Sequence, residues 1–253
     1  MSVQNLKSIE KIQAKYKNGQ IVPEESYESI FSKVTDRSIV ILKDVFPPEQ
    51  IADVRRTVHQ WGQKTPVTNP ENPTTSWHRV DDNPAKSQTK HRFTGYMFSV
   101  DQNENLVIDQ NGQDLGLNET LMPCFKALGE FQSKLTKTQM TFSPVGTGHK
   151  LQPQIIHYPV GGGFFDQHVH SLEPQKVGLI LGLSQQGKDF KTGGTRFKLG
   201  DEWVSVEGHM NMGDITIFKY DLVHDVSIVD KDEKLDWSSE RGRWTMVIPF
   251  KVK

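Results

Sequence analysis

The spacing of apolar residues in the first 150 positions predicts two long helices. In PPEQIADVRRTVHQWGQ, residues 47–63, apolar side chains recur at three- and four-residue intervals after a pair of prolines. Leu121, Phe125, Leu128 and Phe131 show the same spacing near residues 119–135. Because one face of a helix repeats every 3.6 residues, both segments are predicted to be amphipathic helices.

Other N-terminal segments are shorter. Residues 5–16 place apolar side chains on a charged background at helical spacing, which predicts a short amphipathic helix. RSIVILKDVF (37–46) is rich in β-branched residues and is predicted to be a strand, and HRFTGYMFSV (91–100) is interpreted as another strand. Since no obvious linker separates these parts from the rest, residues 1–253 are expected to form a single domain.

From about residue 152 the pattern changes to many short β-rich segments. They are separated by turn sequences such as GGG, KTGG, LGD and MGD, and they read QPQIIHYPV, KVGLILGL, TRFKLG, EWVSVEG, DITIFKY, VSIVD and RWTMVIPF. Closely spaced strands of this kind predict a sandwich or barrel. The expected architecture is mainly β with α, in which a helical or mixed part (1–150) packs on a β core (151–253).

Residues 62–90 are rich in Pro, Thr, Asn, Asp and Ser, and they contain little that would be buried. This composition predicts a long loop, and long loops in compact domains are often lids or binding segments. Trp77, His78, Arg79 and Asp81 are the candidate lid residues. Their polarity favours a small, polar or amino-acid-like substrate over a protein substrate.

Composition and charge exclude several classes of function. The net charge of −1 lacks the basic footprint of a nucleic-acid binder, and the polar N-terminus has no apolar run suited to a signal peptide or a membrane span. Cys124 is the only cysteine, which leaves no disulfide framework and no thiolate cluster. A soluble cytoplasmic protein is expected, and any metal site must use nitrogen and oxygen ligands.

The stretch FFDQHVHSLEP contains His168 and His170, which one residue separates, so an extended strand would place both on one face. His224 in KYDLVHDVSIV lies at the edge of another predicted strand. Three imidazoles that converge on one sheet face can bind a divalent metal and leave coordination positions open. His91, His149, His157 and His209 are interpreted as structural or exposed.

The order of motifs over residues 154–250 resembles that of the iron(II)/2-oxoglutarate dioxygenases, in their prolyl-hydroxylase-like and phytanoyl-type branches. YPVGGGFFDQHVH resembles their first metal-ligand strand, and LVHDV resembles the segment with the distal histidine. TGGTRF and MGDITIF are similar to the strands between the ligands, and RWT is similar to their Arg-x-Ser. The resemblance implies a double-stranded β-helix, or jelly roll.

The resemblance also implies roles for particular residues. His168, His170 and His224 would hold Fe(II), while Arg243 and Thr245 would hold the far carboxylate of 2-oxoglutarate. That carboxylate would sit in an apolar barrel, where a guanidinium and a hydroxyl offset its burial. Tyr158 would donate a hydrogen bond to the same cosubstrate. The implied reaction oxidises a C–H bond of a small molecule with O₂, by default to an alcohol, and releases succinate and CO₂.

One position departs from the pattern, because the family has an aspartate or glutamate where this chain has His170. Three interpretations stay open at this stage. His170 is a ligand in a triad of neutral histidines; Asp166 or Glu173 supplies a carboxylate instead; or the metal site is degenerate. The first is favoured. A halogenase-like site fits poorly, since imidazole fills the space that a halide would need.

Two other functions compete with the dioxygenase. One is a three-histidine, cupin-like oxygenase that does not use 2-oxoglutarate, in which Arg243 binds a substrate anion. The other is a jelly-roll binding protein without catalysis. Arg243 could instead have a purely structural role, in a salt bridge across the sheet to Asp214 or Glu240. Arg241 is the other candidate for the residue that binds the carboxylate.

Overall fold

The computed structural model describes residues 8–71, 73–85, 89–108, 115–145 and 147–250. Its helices are α1 (Tyr27–Thr35), α2 (Pro48–Lys64), α3 (Leu117–Thr136) and a short 3₁₀ helix (Glu207–His209). Its strands are β1 (Ile9–Lys17), β2 (Gln20–Pro23), β3 (Ile39–Lys43), β4 (Trp77–Asn83), β5 (His91–Met97), β6 (Met140–Thr141), β7 (His149–Lys150), β8 (Gln154–Pro159), β9 (Phe164–His168), β10 (Val177–Gly182), β11 (Gly194–Leu199), β12 (Glu202–Ser205), β13 (Ile215–Lys219), β14 (His224–Ser227) and β15 (Gly242–Val247).

Most of the strands belong to one large mixed sheet. Its order is β12-β11-β14-β9-β5-β8-β15-β10-β13-β3-β1-β2, with β4 paired to β5, while β6 and β7 pair separately. The sheet curls, so that side chains from β8, β15, β10 and β13 and side chains from β9, β14 and β11 line the same interior cavity. The predicted mainly β fold with a jelly-roll core is confirmed.

β15 shows how the alternation of a strand divides its residues between two environments. Arg243, Thr245 and Val247 face the interior cavity. Trp244 and Met246 point the other way and are fully buried in the main hydrophobic core, which also contains the helices. Because successive side chains alternate across a sheet, one short segment both anchors the helical layer and lines the cavity.

The two long predicted helices are confirmed. α2 begins at a proline, which suits the first turn because its missing N–H would be unpaired there anyway. Its apolar stripe of Ile51, Val54, Val58 and Trp61 is buried. α3 is buried over most of its surface, and both helices share one core cluster with the strands. The organisation of residues 1–253 as one domain stays a prediction.

The helix predicted at residues 5–16 is wrong over its described part. β1 begins at Ile9 and pairs in parallel with β3, from Ile9 opposite Ile39 to Gln13 opposite Lys43. Within the strand Ile12 and Ala14 are buried, at the spacing of two that a strand requires. The apparent helical spacing relied in part on Leu6, which lies outside the described residues.

The loop predicted at residues 62–90 is wrong at two places. α2 continues to Lys64, and β4 pairs along its whole length with β5. β4 is rich in charged residues, which form ion pairs such as Arg92–Asp82. It therefore lacks the hydrophobic run by which a strand is usually recognised in a sequence. His78, a predicted lid residue, is buried, and its Nε2 lies 2.7 Å from Thr65 O. Residues 72 and 86–88 of the predicted lid lie outside the described residues.

Candidate active site

Two paired strands place His168 and His224 side by side, while His170 lies two residues beyond the end of β9, outside the strand that was predicted to carry both histidines. His168 ends β9, His224 begins β14, and the two residues lie directly opposite each other in the antiparallel pairing. β14 begins two residues before the predicted strand VSIVD, so His224 belongs to the strand itself. Ring nitrogens of His168, His170 and His224 lie within 4.8 Å of one another, an arrangement that could hold one metal ion.

Backbone carbonyl groups orient two of the three imidazoles. His168 Nδ1 lies 2.9 Å from Asp166 O, and His224 Nδ1 lies 2.8 Å from Leu222 O. When Nδ1–H donates to a carbonyl, the lone pair of the neutral ring is on Nε2, the atom that is then available to a metal. Both rings are therefore held in the tautomer that metal binding requires.

The His170 ring is held by stacking. It lies parallel to the Tyr220 ring, with 4.3 Å between centroids and 15° between planes, and within the described residues its side chain has no hydrogen-bond partner. Burial raises the pKa of Tyr220 to about 12, so the phenol stays neutral. Tyr220 was not identified from the sequence. It fixes the plane of the His170 ring and leaves both ring nitrogens available to a ligand.

Burial also keeps the three imidazoles neutral. Desolvation, together with a smaller effect of the neighbouring imidazoles, lowers the pKa of His224 to about 3 and that of His170 to about 4. The pKa of His168 is lowered as well, mainly by desolvation, although the Asp166 carbonyl partly opposes the shift. A neutral imidazole carries the lone pair that a metal needs, so the cluster suits a metal ion at neutral pH.

Nearby carboxylates do not join the three histidines. Asp166 and Glu173 both lie outside the group of side chains whose ligand atoms converge, as judged over the described residues. Asp225 follows His224 in the chain, but its two oxygens accept hydrogen bonds of 3.0 and 2.5 Å from Arg196. The geometry therefore favours the three-histidine interpretation, while ligation by His170 itself stays a prediction.

The residues predicted to hold 2-oxoglutarate lie on β15 and β8. Arg243 is paired directly with Tyr158, and its guanidinium carbon lies 5.7 Å from the centroid of the Tyr158 ring. Thr245 follows on the same face, and all three side chains are buried. Burial raises the pKa of Tyr158 to about 12, so its hydroxyl keeps the proton that it would donate.

Arg243 already has one protein partner. Its Nε donates a 2.5 Å hydrogen bond to Glu207 Oε1, and both side chains are buried. Among the described residues this is the one hydrogen bond of its guanidinium, which leaves the two Nη groups free for a ligand. Five N–H groups in a rigid fork allow a guanidinium to bind two carboxylates at once.

Two alternatives were considered for this site: a salt bridge from Arg243 to Asp214 or Glu240, and Arg241 in place of Arg243. Neither is found. Arg243 does form an ion pair, but neither predicted partner is involved. Arg241, the rival candidate, has 53% of its side chain exposed and lies outside the cavity. The three residues pair elsewhere: Asp214 with Lys43, Glu240 with Arg55, and Arg241 with Glu233.

A cavity of about 160 Å³ connects the two groups of residues. We call His168, His170 and His224 the histidine end; Arg243, Thr245, Tyr158 and Thr195 form the arginine end. The wall between them is apolar and includes Ile156, Ile180, Phe218 and Val226. An engineered protein cavity of about 150 Å³ binds benzene, so this space suits a small organic ligand rather than a large one.

Comparisons with known proteins find likeness in structure alone. No family model matches the chain, and no curated protein matches it. An oxidoreductase of the 2OG-Fe(II) oxygenase family from Burkholderia pseudomallei matches with a TM-score of 0.51 and 10% identity, over 94% of this chain and 93% of that one. The chain has the fold of the 2OG-Fe(II) oxygenases.

Two further solved structures have the same oxygenase fold. A full-length Neurospora crassa protein, in complex with alpha-KG and 5-formyluracil, matches with a TM-score of 0.56 and 13% identity, over 92% of this chain and 85% of that one. A Trichoplax adhaerens prolyl hydroxylase, in complex with a hypoxia inducible factor peptide, matches with a TM-score of 0.51 and 10% identity, over 88% of this chain and 89% of that one.

The helices of the described chain are too short or too polar to span a membrane.

Thr195 completes the arginine end, although the sequence did not identify it. It lies on β11 opposite Val226, lines the cavity, and is 1% exposed. Its Oγ1 is buried and has no hydrogen-bond partner within the described chain. Because an unsatisfied buried hydroxyl costs roughly 1–3 kcal/mol, a ligand that accepts its hydrogen bond would gain from that contact. The TGGTRF motif predicted the strand, but it gave no role to the Thr195 hydroxyl.

Glu207 gave no signal in the sequence either. Its Oε1 accepts hydrogen bonds from the Thr195 amide, at 2.7 Å, and from Arg243 Nε. Gly194 makes room for it, because a Cβ at that position would collide with Glu207 Cγ, and its φ of +107° also favours glycine. The absence of a side chain at Gly194, the second glycine of TGGTRF, thus allows the Glu207 side chain to lie close to the backbone of this strand.

The side chains present fit the cosubstrate and metal that the oxygenase fold suggests. The histidine end supplies three neutral nitrogen donors, which suit iron(II) among other divalent ions. The arginine end supplies the free Nη groups of Arg243 and the unpaired hydroxyl of Thr195, which suit a carboxylate. Their roles in binding stay predictions.

Proposed function

We propose that the protein is an oxygenase that depends on Fe(II) and 2-oxoglutarate and oxidises a C–H bond of a small molecule. The observation that carries this proposal is the single cavity, with three neutral imidazoles at one end and an arginine with free N–H groups at the other. The shared fold supports it. One neighbour was solved with alpha-KG, which is 2-oxoglutarate.

Each end of the cavity has a separate task in this proposal. His168, His170 and His224 hold the iron through their ring nitrogens. Arg243 and Thr245 bind the far carboxylate of 2-oxoglutarate, and the Tyr158 hydroxyl donates to the same molecule. Bound iron and O₂ would supply the oxidising chemistry, with conversion of 2-oxoglutarate to succinate and CO₂. The apolar wall excludes water around the reacting groups.

The surroundings of the histidine end favour a small, polar substrate. The Phe165 ring centroid lies 4.2 Å from that of His168 and 5.7 Å from that of His91. The start of β5, which pairs with β4 in a hairpin, therefore lies beside the histidine end. His91 Nε2 in turn lies 3.8 Å from an Asp81 carboxylate oxygen. We therefore place substrate binding between this hairpin and the histidine end. Cytoplasmic location stays a prediction.

An anaerobic titration of Fe(II) and 2-oxoglutarate, followed through the metal-to-ligand charge-transfer band, tests metal and cosubstrate together. The proposal expects a band that needs both components. His170→Ala should weaken iron binding, and His170→Asp should preserve it. If 2-oxoglutarate does not bind and no succinate forms with any substrate, the proposal is wrong; unchanged iron affinity in His170→Ala rejects the three-histidine interpretation.

The Arg243–Glu207 ion pair favours one alternative. An arginine that is already paired could serve a substrate anion in a three-histidine oxygenase that does not use 2-oxoglutarate. Binding of 2-oxoglutarate that disappears in Arg243→Ala would exclude this alternative. A metal-free protein as isolated, with no affinity for added Fe(II), would instead indicate a non-catalytic jelly-roll binding protein.

A further inference from the structure

Glu207 is a buried carboxylate that is bonded to Arg243 of the arginine end, although it does not line the cavity itself. The histidine end of the cavity has no carboxylate among the described ligand candidates. We propose that Glu207 sets the charge of this cavity, so that it matches a ligand with two negative charges. This inference rests on the proposed function, because it assumes a divalent metal at the histidine end. It assigns a specificity-determining role to a residue that the proposed reaction does not otherwise need.

The charges of the cavity can be counted from its residues. A histidine binds a metal as the neutral ring, so a divalent ion held by these three side chains would keep its full charge of two. Arg243 adds a third positive charge, and Glu207 removes one. Asp225 and Arg196 neutralise each other. The remaining two positive charges match the two carboxylates of 2-oxoglutarate.

Glu207 is close enough to the histidine end for its charge to act there. It is held by the amide of Thr195, and Thr195 is two residues from Phe197 on β11. Phe197 is paired with His224, so the Thr195 backbone lies two positions along the strand and one strand across from His224, on the order of 8–9 Å. At that distance in a partly buried site, one unit of charge changes the affinity for an anion by roughly tenfold or more.

A role limited to holding the Thr195 amide and Arg243 Nε in place would need the acceptor oxygen of Glu207 but not its charge. The hydrogen bonds from the Thr195 amide and from Arg243 Nε both end on Oε1, an oxygen that glutamine also has. Glu207→Gln can therefore keep the Thr195 amide and Arg243 Nε bonded while it removes the negative charge. The Gly194 position, which accommodates the side chain, accommodates an isosteric amide equally well.

The test uses calorimetric titration of 2-oxoglutarate into the Mn(II)-saturated protein without O₂, which measures binding without turnover. Glu207→Gln should bind 2-oxoglutarate roughly tenfold more tightly than the unmodified protein, because the cavity gains one positive charge. His170→Asp should bind it roughly tenfold more weakly, since a carboxylate then lies on the metal. The double variant His170→Asp/Glu207→Gln should return close to the original affinity.

A second ligand separates charge from shape. 2-Oxopentanoate has the chain length of 2-oxoglutarate but lacks its distal carboxylate, so its affinity should change less in Glu207→Gln. If Glu207→Gln folds poorly, His170→Asp still tests the charge matching, because it changes the total charge of the cavity and leaves the Arg243–Glu207 pair intact. Melting temperatures show which variants are folded.

The outcomes distinguish this inference from the proposed function. If the unmodified Mn(II) protein does not bind 2-oxoglutarate, both fail. If it binds, but Glu207→Gln binds no more tightly and the double variant does not recover the affinity lost in His170→Asp, only the role of Glu207 is overturned. A tighter single variant and a restored double variant support the charge assignment.

Discussion

The two ends of the cavity hold their functional groups by different means. At the histidine end, backbone carbonyls of Asp166 and Leu222 orient two neutral rings, and an aromatic side chain stacks on the third. At the arginine end, a buried cation is held by the Glu207 carboxylate. A neutral group needs only to be oriented, whereas a buried charge also needs an opposite charge, because its desolvation is costly.

This difference predicts that the two ends can be damaged separately. Changes at the histidine end should affect metal affinity first, and changes at the arginine end should affect the affinity for a carboxylate ligand. Among substitutions that keep the net charge of the cavity, one that alters both properties together would show that the two ends are not independent.

The largest effect is expected for His224→Ala. This ring is the most buried of the three and lies opposite His168, so its loss removes a nitrogen donor that no neighbour replaces. Metal affinity should fall by more than about 100-fold, since even outer contacts to ligands contribute 10–100-fold. Competition titration with a chelator measures this. His149→Ala, at an exposed histidine, is the control, and an unchanged affinity in His224→Ala would contradict the site.

Arg243→Lys should weaken 2-oxoglutarate binding by about 10–100-fold while metal affinity stays the same. Lysine keeps the charge beside Glu207, which avoids leaving that carboxylate unpaired, but it lacks the planar fork. Calorimetric titration with each ligand checks both parts. Arg241→Lys, at the exposed arginine, serves as the matched control. A variant that loses metal but keeps 2-oxoglutarate would reverse the assignment of the two ends.

His157 provides a reference histidine on the other side of the sheet. It stacks on Trp244 at 4.1 Å and bonds to Arg241 O, and burial lowers its pKa from 6.5 to about 3. As the pH falls, the unfolded state binds a proton at this imidazole before the folded state does. The contribution of His157 to the free energy of unfolding is therefore complete above pH 6.5, and it decreases by about 1.4 kcal/mol per pH unit between pH 6.5 and pH 3.

His157→Phe should flatten that pH dependence, whatever its effect on stability at pH 7. Urea unfolding at pH 6.5, 5.5 and 4.5 gives the slope. His149→Phe, where the histidine is exposed, should leave the slope unchanged. An equal slope in His157→Phe and in the unmodified protein would mean that this imidazole titrates normally in the folded state.

The smallest effect is expected for Thr195→Val, which removes a hydroxyl that has no partner in the described chain. Folding stability should stay the same or rise slightly, while 2-oxoglutarate affinity falls by about 5–10-fold, the worth of one hydrogen bond. Thr136→Val is the opposite case, because its hydroxyl donates to Gln132 O at 2.8 Å. That variant should lose stability and keep its affinity. Unchanged affinity in Thr195→Val would remove this hydroxyl from the arginine end.

The sequence predicted the parts of the site that are local in the chain. His168 and His170 are two residues apart, as are Arg243 and Thr245, so a short motif contains both members of each pair. Glu207 contacts Arg243 from 36 positions away, and no motif in the sequence marks Glu207 as its partner. The same contrast explains β1 and β4, whose pairing with other strands decides their structure more than their own residues do.

A crystal structure of the protein with Mn(II) and 2-oxoglutarate, prepared without O₂, tests the central claim most directly. The account predicts one metal ion bound by ring nitrogens of His168, His170 and His224, and a ligand carboxylate against the free Nη groups of Arg243. A metal held by Asp166 or Glu173 in place of His170, or a ligand whose carboxylate lies away from Arg243, would contradict it.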